Sequence, residues 1–211
     1  SMSLVHCGAE AWARGLSVVH FTFENSEEET AKRYLSNILA ESIADLAPAE
    51  ARPRLNKLLS VTDATIKIRE LPGSETDMHV LSAHLQRLEQ QGVEIGLVIV
   101  DYGDLMRSIH RHDRAYEMQA AVFQELRDLS VLHDVPVWTA SQGNRASLKD
   151  AWIDLQHIAE SYGKAMKADL VLAICDGWPD QREEAFTGHE VARKLNEAAF
   201  ISVAKYRSGP T

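Results

Sequence analysis

The sequence predicts an α/β fold: a doubly wound, mostly parallel sheet covered by helices on both faces. Three observations predict it. Stretches of strand character alternate with stretches of helical spacing along the 211 residues, a pattern that lays helices across the faces of a parallel sheet. The run Leu97-Val98-Ile99-Val100 is apolar without alternation, which suits a strand buried on both sides. That run stops abruptly at Asp101, and open α/β sheets bind their ligands at the carboxyl ends of the strands.

Each element has its own signal. Leu4 to Ala13 reads as a helix closed by Arg14-Gly15, a basic residue followed by a C-cap glycine. Ser17 to Phe23 is β-branched and aromatic, hence a strand. Ser26 then serves as N-cap to a helix whose first turn holds Glu27, Glu28 and Glu29, favourable against the helix dipole. Tyr34, Leu35, Ile38 and Leu39 share its apolar face. Pro48 and Pro53 bracket a turn and a short helix. Ala64 to Leu71 alternates as a strand, and Pro72-Gly73 breaks it. Asp77 to Gln91 carries Val80, Leu81, Leu85 and Leu88 at helical spacing, with Gly92 closing the helix.

After the central strand, Arg107 to Arg114 is a basic, histidine-rich loop. Tyr116 to His133 is a long amphipathic helix and Pro136 to Ala140 a strand. Ala146 to Lys167 reads as a long loop with helical pieces. Asp169 to Ile174 is a strand, Gly177 to Glu197 a charged excursion, and Phe200 to Ala204 the last strand. No internal repeat, low-complexity tract or second domain is visible, so residues 1–211 read as one domain.

Composition sets limits. The hydrophobic share of 45% and charged share of 25% are ordinary for a globular protein. No apolar run approaches the ~20 residues that span a bilayer. The net charge of -9 argues against a globally basic nucleic-acid binder, yet a local basic loop remains compatible with one. Cys7 and Cys175 lack metal-ligand spacing and read as buried free thiols in a reducing cytosol. His110, His112 and His133 fit no common zinc pattern and read as surface residues. Trp138 reads as core. Trp152 is open between core and base stacking.

Four predicted strands end in a polar group: Glu24, Asp101, Gln142, and the pair Lys205 and Arg207. In a parallel sheet these ends share one rim. An acid for magnesium, a second acid for water, a carboxamide facing a γ-phosphate and a cationic pair are the parts of nucleotide hydrolysis. Plainer readings stand beside each. Asp101 caps the next turn, Glu24 begins the acidic cluster at a helix start, Gln142 caps a loop, and Lys205 and Arg207 form a solvated strand end.

Four segments carry a resemblance: His20-Phe21-Thr22-Phe23-Glu24-Asn25-Ser26, Asp101-Tyr102-Gly103-Asp104-Leu105-Met106-Arg107, the run from Val135 to Arg145, and Ala204 to Thr211. In order and separation they resemble successive motifs of the DnaB-like replicative hexameric helicases, members of the RecA-like P-loop ATPases. The resemblance implies an ATPase motor core that couples ATP hydrolysis, with Mg2+, to translocation on single-stranded DNA. It implies that Glu24 is the general base, that Asp101 holds magnesium through water, and that Gln142 couples the γ-phosphate to the DNA-binding loop after it. Lys205 and Arg207 would enter the ATP site of a neighbouring subunit, Arg207 as the arginine finger. Ser1, Asp101 and Arg145 would contact nucleotide. Arg107, Arg111, Arg114, Arg145 and Lys149 would contact DNA, from segments matching the family's central-channel loops. The parent would be a homohexameric ring, cytoplasmic and bacterial or phage-encoded, with no membrane partner; the 211 residues alone would be a monomer or dimer.

The family's first motif, Gly-x-x-x-x-Gly-Lys-Ser/Thr, does not occur here. Its amides and lysine cradle the phosphates. Leu4 to Ala13 resembles the helix that follows it, so Ser1 is either the last P-loop residue or a scar before Met2. The expectation is a chain trimmed at both ends that hydrolyses ATP at background rate. Gly103, Asp104 and Gly143 also depart from the family pattern, in which larger residues or an amide are usual. The alternatives are a RecA-like scaffold without a P-loop, a recombinase or clock-type relative, and an unrelated doubly wound enzyme.

Overall fold

The central strand reaches both faces of the sheet because its side chains alternate between two apolar layers. In the computed structural model, residues 2–42, 44, 48–142, 162–175 and 200–207 are described. Four strands, β1 (Ser17–Thr22), β2 (Ile66–Glu70), β3 (Ile95–Asp101) and β4 (Val137–Thr139), form a wholly parallel sheet in the order β2-β1-β3-β4. Val98 and Val100 join Val19 and Phe21 on one face, under Leu81, Leu85, Val122, Leu126 and Leu129. Leu97 and Ile99 join Val18 on the other, against Leu4 and Trp12. The unbroken apolar run is thus the sequence image of a three-layer domain.

The helices follow their sequence signals closely. α1 (Met2–Ala13) buries Leu4, Val5, Gly8, Ala9 and Trp12, and Gly15 beyond it has φ +86°, the left-handed geometry that glycine adopts without strain. α2 (Glu27–Leu39) begins at Ser26, whose side chain accepts from the Glu29 amide. α3 (Pro48–Leu59) takes both prolines, Pro53 inside it, rather than being bracketed by them. α4 (Met78–Gln90) is capped by Asp77, and Gly92 after it has φ +81°. α5 (Ala115–His133) packs on α4.

His133 corrects an expectation. It is not a surface histidine: its side chain is 4% exposed. Its Nδ1 lies 2.8 Å from Glu89 Oε1 and its Nε2 2.9 Å from Ser82 Oγ, so it clasps α4 to α5. Trp138 is only partly buried, packed against the α1 layer. Cys7 is free and half-buried, and burial pushes its thiol up.

The last strands depart from the single-rim picture. β5 (Leu170–Cys175) and β6 (Phe200–Tyr206) pair antiparallel as a separate two-stranded sheet. The short helix α6 (Tyr162–Lys167) precedes them and packs on α5. Residues 143–161 and 176–199 lie outside the described residues, and with them the expectations for Gly143, Arg145, Lys149, Trp152 and the charged excursion.

One close approach gives a stability prediction. Gly8 on α1 faces Tyr34 on α2, where a Cβ would sit 2.2 Å from Tyr34 Oη and 2.9 Å from Ile99 Cδ1. Tyr34 is buried and hydrogen-bonds through Oη to His20 Nδ1 at 2.9 Å, so it has no slack. Gly8→Ala should cost about 1–3 kcal/mol through overpacking, lowering Tm by roughly 2–4 °C per kcal/mol for a chain of this size. Thermal unfolding by circular dichroism checks this, and a variant that melts with the wild type would refute it.

Candidate active site

Adjacent strands bring Glu24 and Asp101 to the same end of the sheet. Thr22 is the register partner of Asp101, and the Phe23 amide donates to the Asp101 carbonyl at 3.0 Å. Glu24 follows directly, exposed. The turn that presents it is tied to its own strand: Thr22 Oγ1 bonds the Asn25 carbonyl and accepts from the Asn25 amide, while Arg33 donates to Asn25 Oδ1. Asp101 is buried, and its Oδ2 lies 3.8 Å from Nε2 of His20. His20 and Tyr34, to which the sequence assigned no role at the site, thus form the inner support of the acid: Tyr34 holds one ring nitrogen and the other faces the carboxylate.

Gln142 arrives from β4. Its Nε2 donates to Tyr102 Oη at 3.0 Å, and its backbone amide donates to Asp104 Oδ2 at 3.4 Å. Tyr102 therefore links the Asp101 turn to the Gln142 turn. Burial pushes its phenol above the ordinary tyrosine range, and the carboxylates of Glu24, Asp104 and Asp101 push it further. Gly103 is needed where it stands: its amide donates to Thr139 Oγ1 at 2.9 Å, and a Cβ there would meet Thr139 Oγ1 at 3.0 Å and Leu126 at 3.1 Å.

Asp104 also binds a lysine that sequence reading missed. Lys164 Nζ lies 2.9 Å from Asp104 Oδ1, with the Lys164 side chain 1% exposed. One of two lysines in a six-residue helix gave no signal; its partner is far away in sequence.

The cationic pair belongs to the separate β5–β6 ribbon. Lys205 Nζ donates to the carbonyls of Ala165 and Met166 at 2.8 and 3.1 Å. Arg207 donates to the Met166 carbonyl at 3.0 Å and pairs with Asp169 Oδ1 at 2.8 Å, which Arg127 also contacts. Burial and the neighbouring Arg207 and Arg127 lower the Lys205 ammonium, against a raising effect of Asp169. The structure brings together Glu24, Asp101 and Gln142, and holds Lys205 and Arg207 on α6.

The basic loop is rooted rather than loose. Buried Glu125 accepts from Ser108 Oγ and from the Ile109 amide. Arg107 pairs with Asp77, the α4 cap, at 3.0 Å. Arg114 donates to Tyr116 Oη at 2.7 Å. Arg111 is exposed and, among the described residues, makes no hydrogen bond or ion pair. Of the three loop arginines it is the one most available to a phosphate. Ser1 lies outside the described residues.

Among the described residues no cluster of three His, Cys, Asp or Glu side chains could hold a metal. Magnesium suits this arrangement, since it commonly takes one or two carboxylates, water and substrate phosphates rather than a full protein cage. No helix among the described residues is long and apolar enough to cross a membrane.

Comparisons with known proteins bear on the family and the fold. The family model described as the DnaB-like helicase C terminal domain matches residues 2–211. The chain is 26% identical over 186 residues to the DnaB-like replicative helicase of Enterobacteria phage T4, covering 83% of this chain and 39% of that protein. It is 29% identical over 203 residues to the replicative DNA helicase DnaB of Mycobacterium intracellulare, covering 93% and 33%. The chain thus spans well under half the length of these relatives. Among solved structures, a DnaB-like replicative helicase described with its primase interactions superposes with a TM-score of 0.77 at 16% identity, covering 100% of this chain and 50% of that one. A second solved structure, an ATPase domain, gives a TM-score of 0.72 at 16% identity, covering 100% and 75%. At that identity the two structures speak for the fold.

Proposed function

This chain belongs to the DnaB-like helicase C-terminal domain family, and from that premise we propose that it is the ATPase motor core of a replicative DNA helicase working on single-stranded DNA. The observation that carries the proposal is the meeting of Glu24, Asp101 and Gln142 at the carboxyl ends of neighbouring parallel strands. In this reading Asp101 holds magnesium on its outer side while His20 and Tyr34 fix its inner side. The bound Mg2+-nucleotide supplies the phosphoryl group to be transferred. Glu24 accepts a proton from the attacking water, and Gln142 meets the γ-phosphate edge. Arg207 completes the site of a neighbouring copy, and Arg111 contacts the DNA backbone. The protein is a cytoplasmic homo-oligomer of ring form.

A comparison of two polypeptides tests the proposal. The 211 residues alone, which contain no Gly-x-x-x-x-Gly-Lys-Ser/Thr loop, should hydrolyse ATP at background rate, because the phosphate-cradling amides and lysine are missing. A longer protein, extended so that such a loop stands before Met2, should hydrolyse ATP with magnesium. Magnesium-dependent turnover by the 211 residues that disappears in Glu24→Gln would overturn this division of labour.

DNA contact has its own test. Arg111→Ala in the longer protein should weaken single-strand binding and flatten the log–log salt dependence by about 0.7, the change expected for one lost phosphate contact. Arg107→Ala should do less, because Arg107 is engaged with Asp77. Fluorescence anisotropy at a series of salt concentrations reads both slopes, and an unchanged slope in Arg111→Ala would remove that residue from the interface.

A further inference from the structure

We propose that Lys164 is a positioning residue of the ATPase cycle, which registers helix α6 against the Gln142 turn and so aligns Gln142 together with Lys205 and Arg207. The inference rests on the roles proposed above for Gln142 and Arg207.

A buried ammonium is costly unless it is paired and hydrogen-bonded. Lys164 meets that demand at one place. Its Nζ lies 2.9 Å from Asp104 Oδ1 and 3.4 Å from Ser141 Oγ, and 5.5 Å from the centre of the Phe123 ring. Asp104 then divides its carboxylate. One oxygen takes Lys164 from α6; the other takes Ser141 Oγ at 2.9 Å and the Gln142 amide at 3.4 Å. Asp104 itself sits in the turn that follows Asp101. A single carboxylate therefore joins α6 to two of the strand ends.

The next two residues of α6 reach the other way. The Ala165 carbonyl accepts from Lys205, and the Met166 carbonyl accepts from Lys205 and Arg207. Three consecutive residues of one short helix thus touch both the carboxamide turn and the cationic pair. Any shift of α6 moves both. A buried ion pair is weak evidence for stability, because an apolar pair of similar volume often serves as well. What such a pair supplies is a fixed orientation, and here the orientation fixed is that of the proposed catalytic groups.

The experiment uses the longer protein and four variants: Lys164→Met, Lys164→Arg, Gln142→Ala and Arg207→Ala. Steady-state ATP hydrolysis with single-stranded DNA is measured, with amide exchange followed over residues 141–142 and 205–207. Lys164→Met should lower kcat about tenfold with KM for ATP within about twofold, the signature of a lost transition-state alignment. Exchange should rise in both segments, and Lys164→Arg, which keeps the cation, should recover kcat in part. Wild-type kcat in Lys164→Met would overturn the inference, as would equal loss in Lys164→Met and Lys164→Arg without faster exchange at both segments. Should Lys164→Met fail to fold, Asp104→Asn cuts the same tie and must show the same kcat loss and exchange pattern; wild-type kcat in it refutes the role. If Gln142→Ala and Arg207→Ala are themselves fully active, the underlying reading of the site fails. If they are impaired and Lys164→Met is not, only the present inference fails.

Discussion

Replacing Glu24 with Gln should reduce ATP turnover of the longer protein by about 10²–10⁴, the usual worth of a general base, while nucleotide binding persists. The substitution keeps the size and hydrogen-bonding reach of the side chain and removes its basicity. The plainer role for Glu24, a member of the acidic helix start, finds no support in its surroundings. Ser26 already caps α2 through the Glu29 amide, and Glu27 to Glu29 fill the first turn. Glu24 is exposed and, among the described residues, makes no hydrogen bond or ion pair. Such a carboxylate adds little to folding and is open to a water molecule. Single-turnover hydrolysis alongside binding of a fluorescent ATP analogue separates the two effects. Wild-type turnover in Glu24→Gln would remove it from the chemistry.

Arg207→Ala should cost about 10³–10⁵ in turnover, the range for an arginine finger acting across an interface. In the isolated chain this guanidinium rests on Asp169 and on the end of α6. The Arg207 side chain is 43% exposed and Asp169 64%, and ion pairs this open are worth about 0–1 kcal/mol. Leaving Asp169 for the developing charge of a phosphoryl group is therefore cheap. Because the finger serves the neighbour, doping wild-type protein with Arg207→Ala subunits should depress activity per wild-type site. A strictly proportional loss would mean that each subunit supplies its own cation, and activity unaffected by Arg207→Ala would exclude the residue.

The fold was largely legible because the informative signals were local. Ser26, Gly15, Asp77 and Gly92 mark helix ends by chemistry that acts within a few residues. The uninterrupted run before Asp101 predicted burial on both faces, and Val98 with Val100 and Leu97 with Ile99 do face opposite layers. Glu24, Asp101 and Gln142 could be placed together because parallel strands deliver their carboxyl ends to one edge.

What escaped was tertiary. Lys164 finds Asp104 across 60 positions, and His133 finds Ser82 and Glu89 across 51 and 44; no spacing rule reaches that far. His133 looked like a surface residue because its partners lie on another helix. Arg107 looked free for DNA because nothing local announces Asp77. The antiparallel β5–β6 ribbon was hidden for a related reason. A strand pattern states burial and length but not which sheet the strand joins, so Lys205 and Arg207 were expected at the end of a strand of the parallel sheet and belong instead to the β5–β6 ribbon, bonded to α6.

The most direct measurement is ATP hydrolysis by the longer protein, with and without magnesium and with and without single-stranded DNA. Turnover that requires magnesium and rises with DNA is the predicted result. Hydrolysis indifferent to DNA, or none at all with the phosphate loop in place, would contradict the assignment of this domain as a DNA-driven motor.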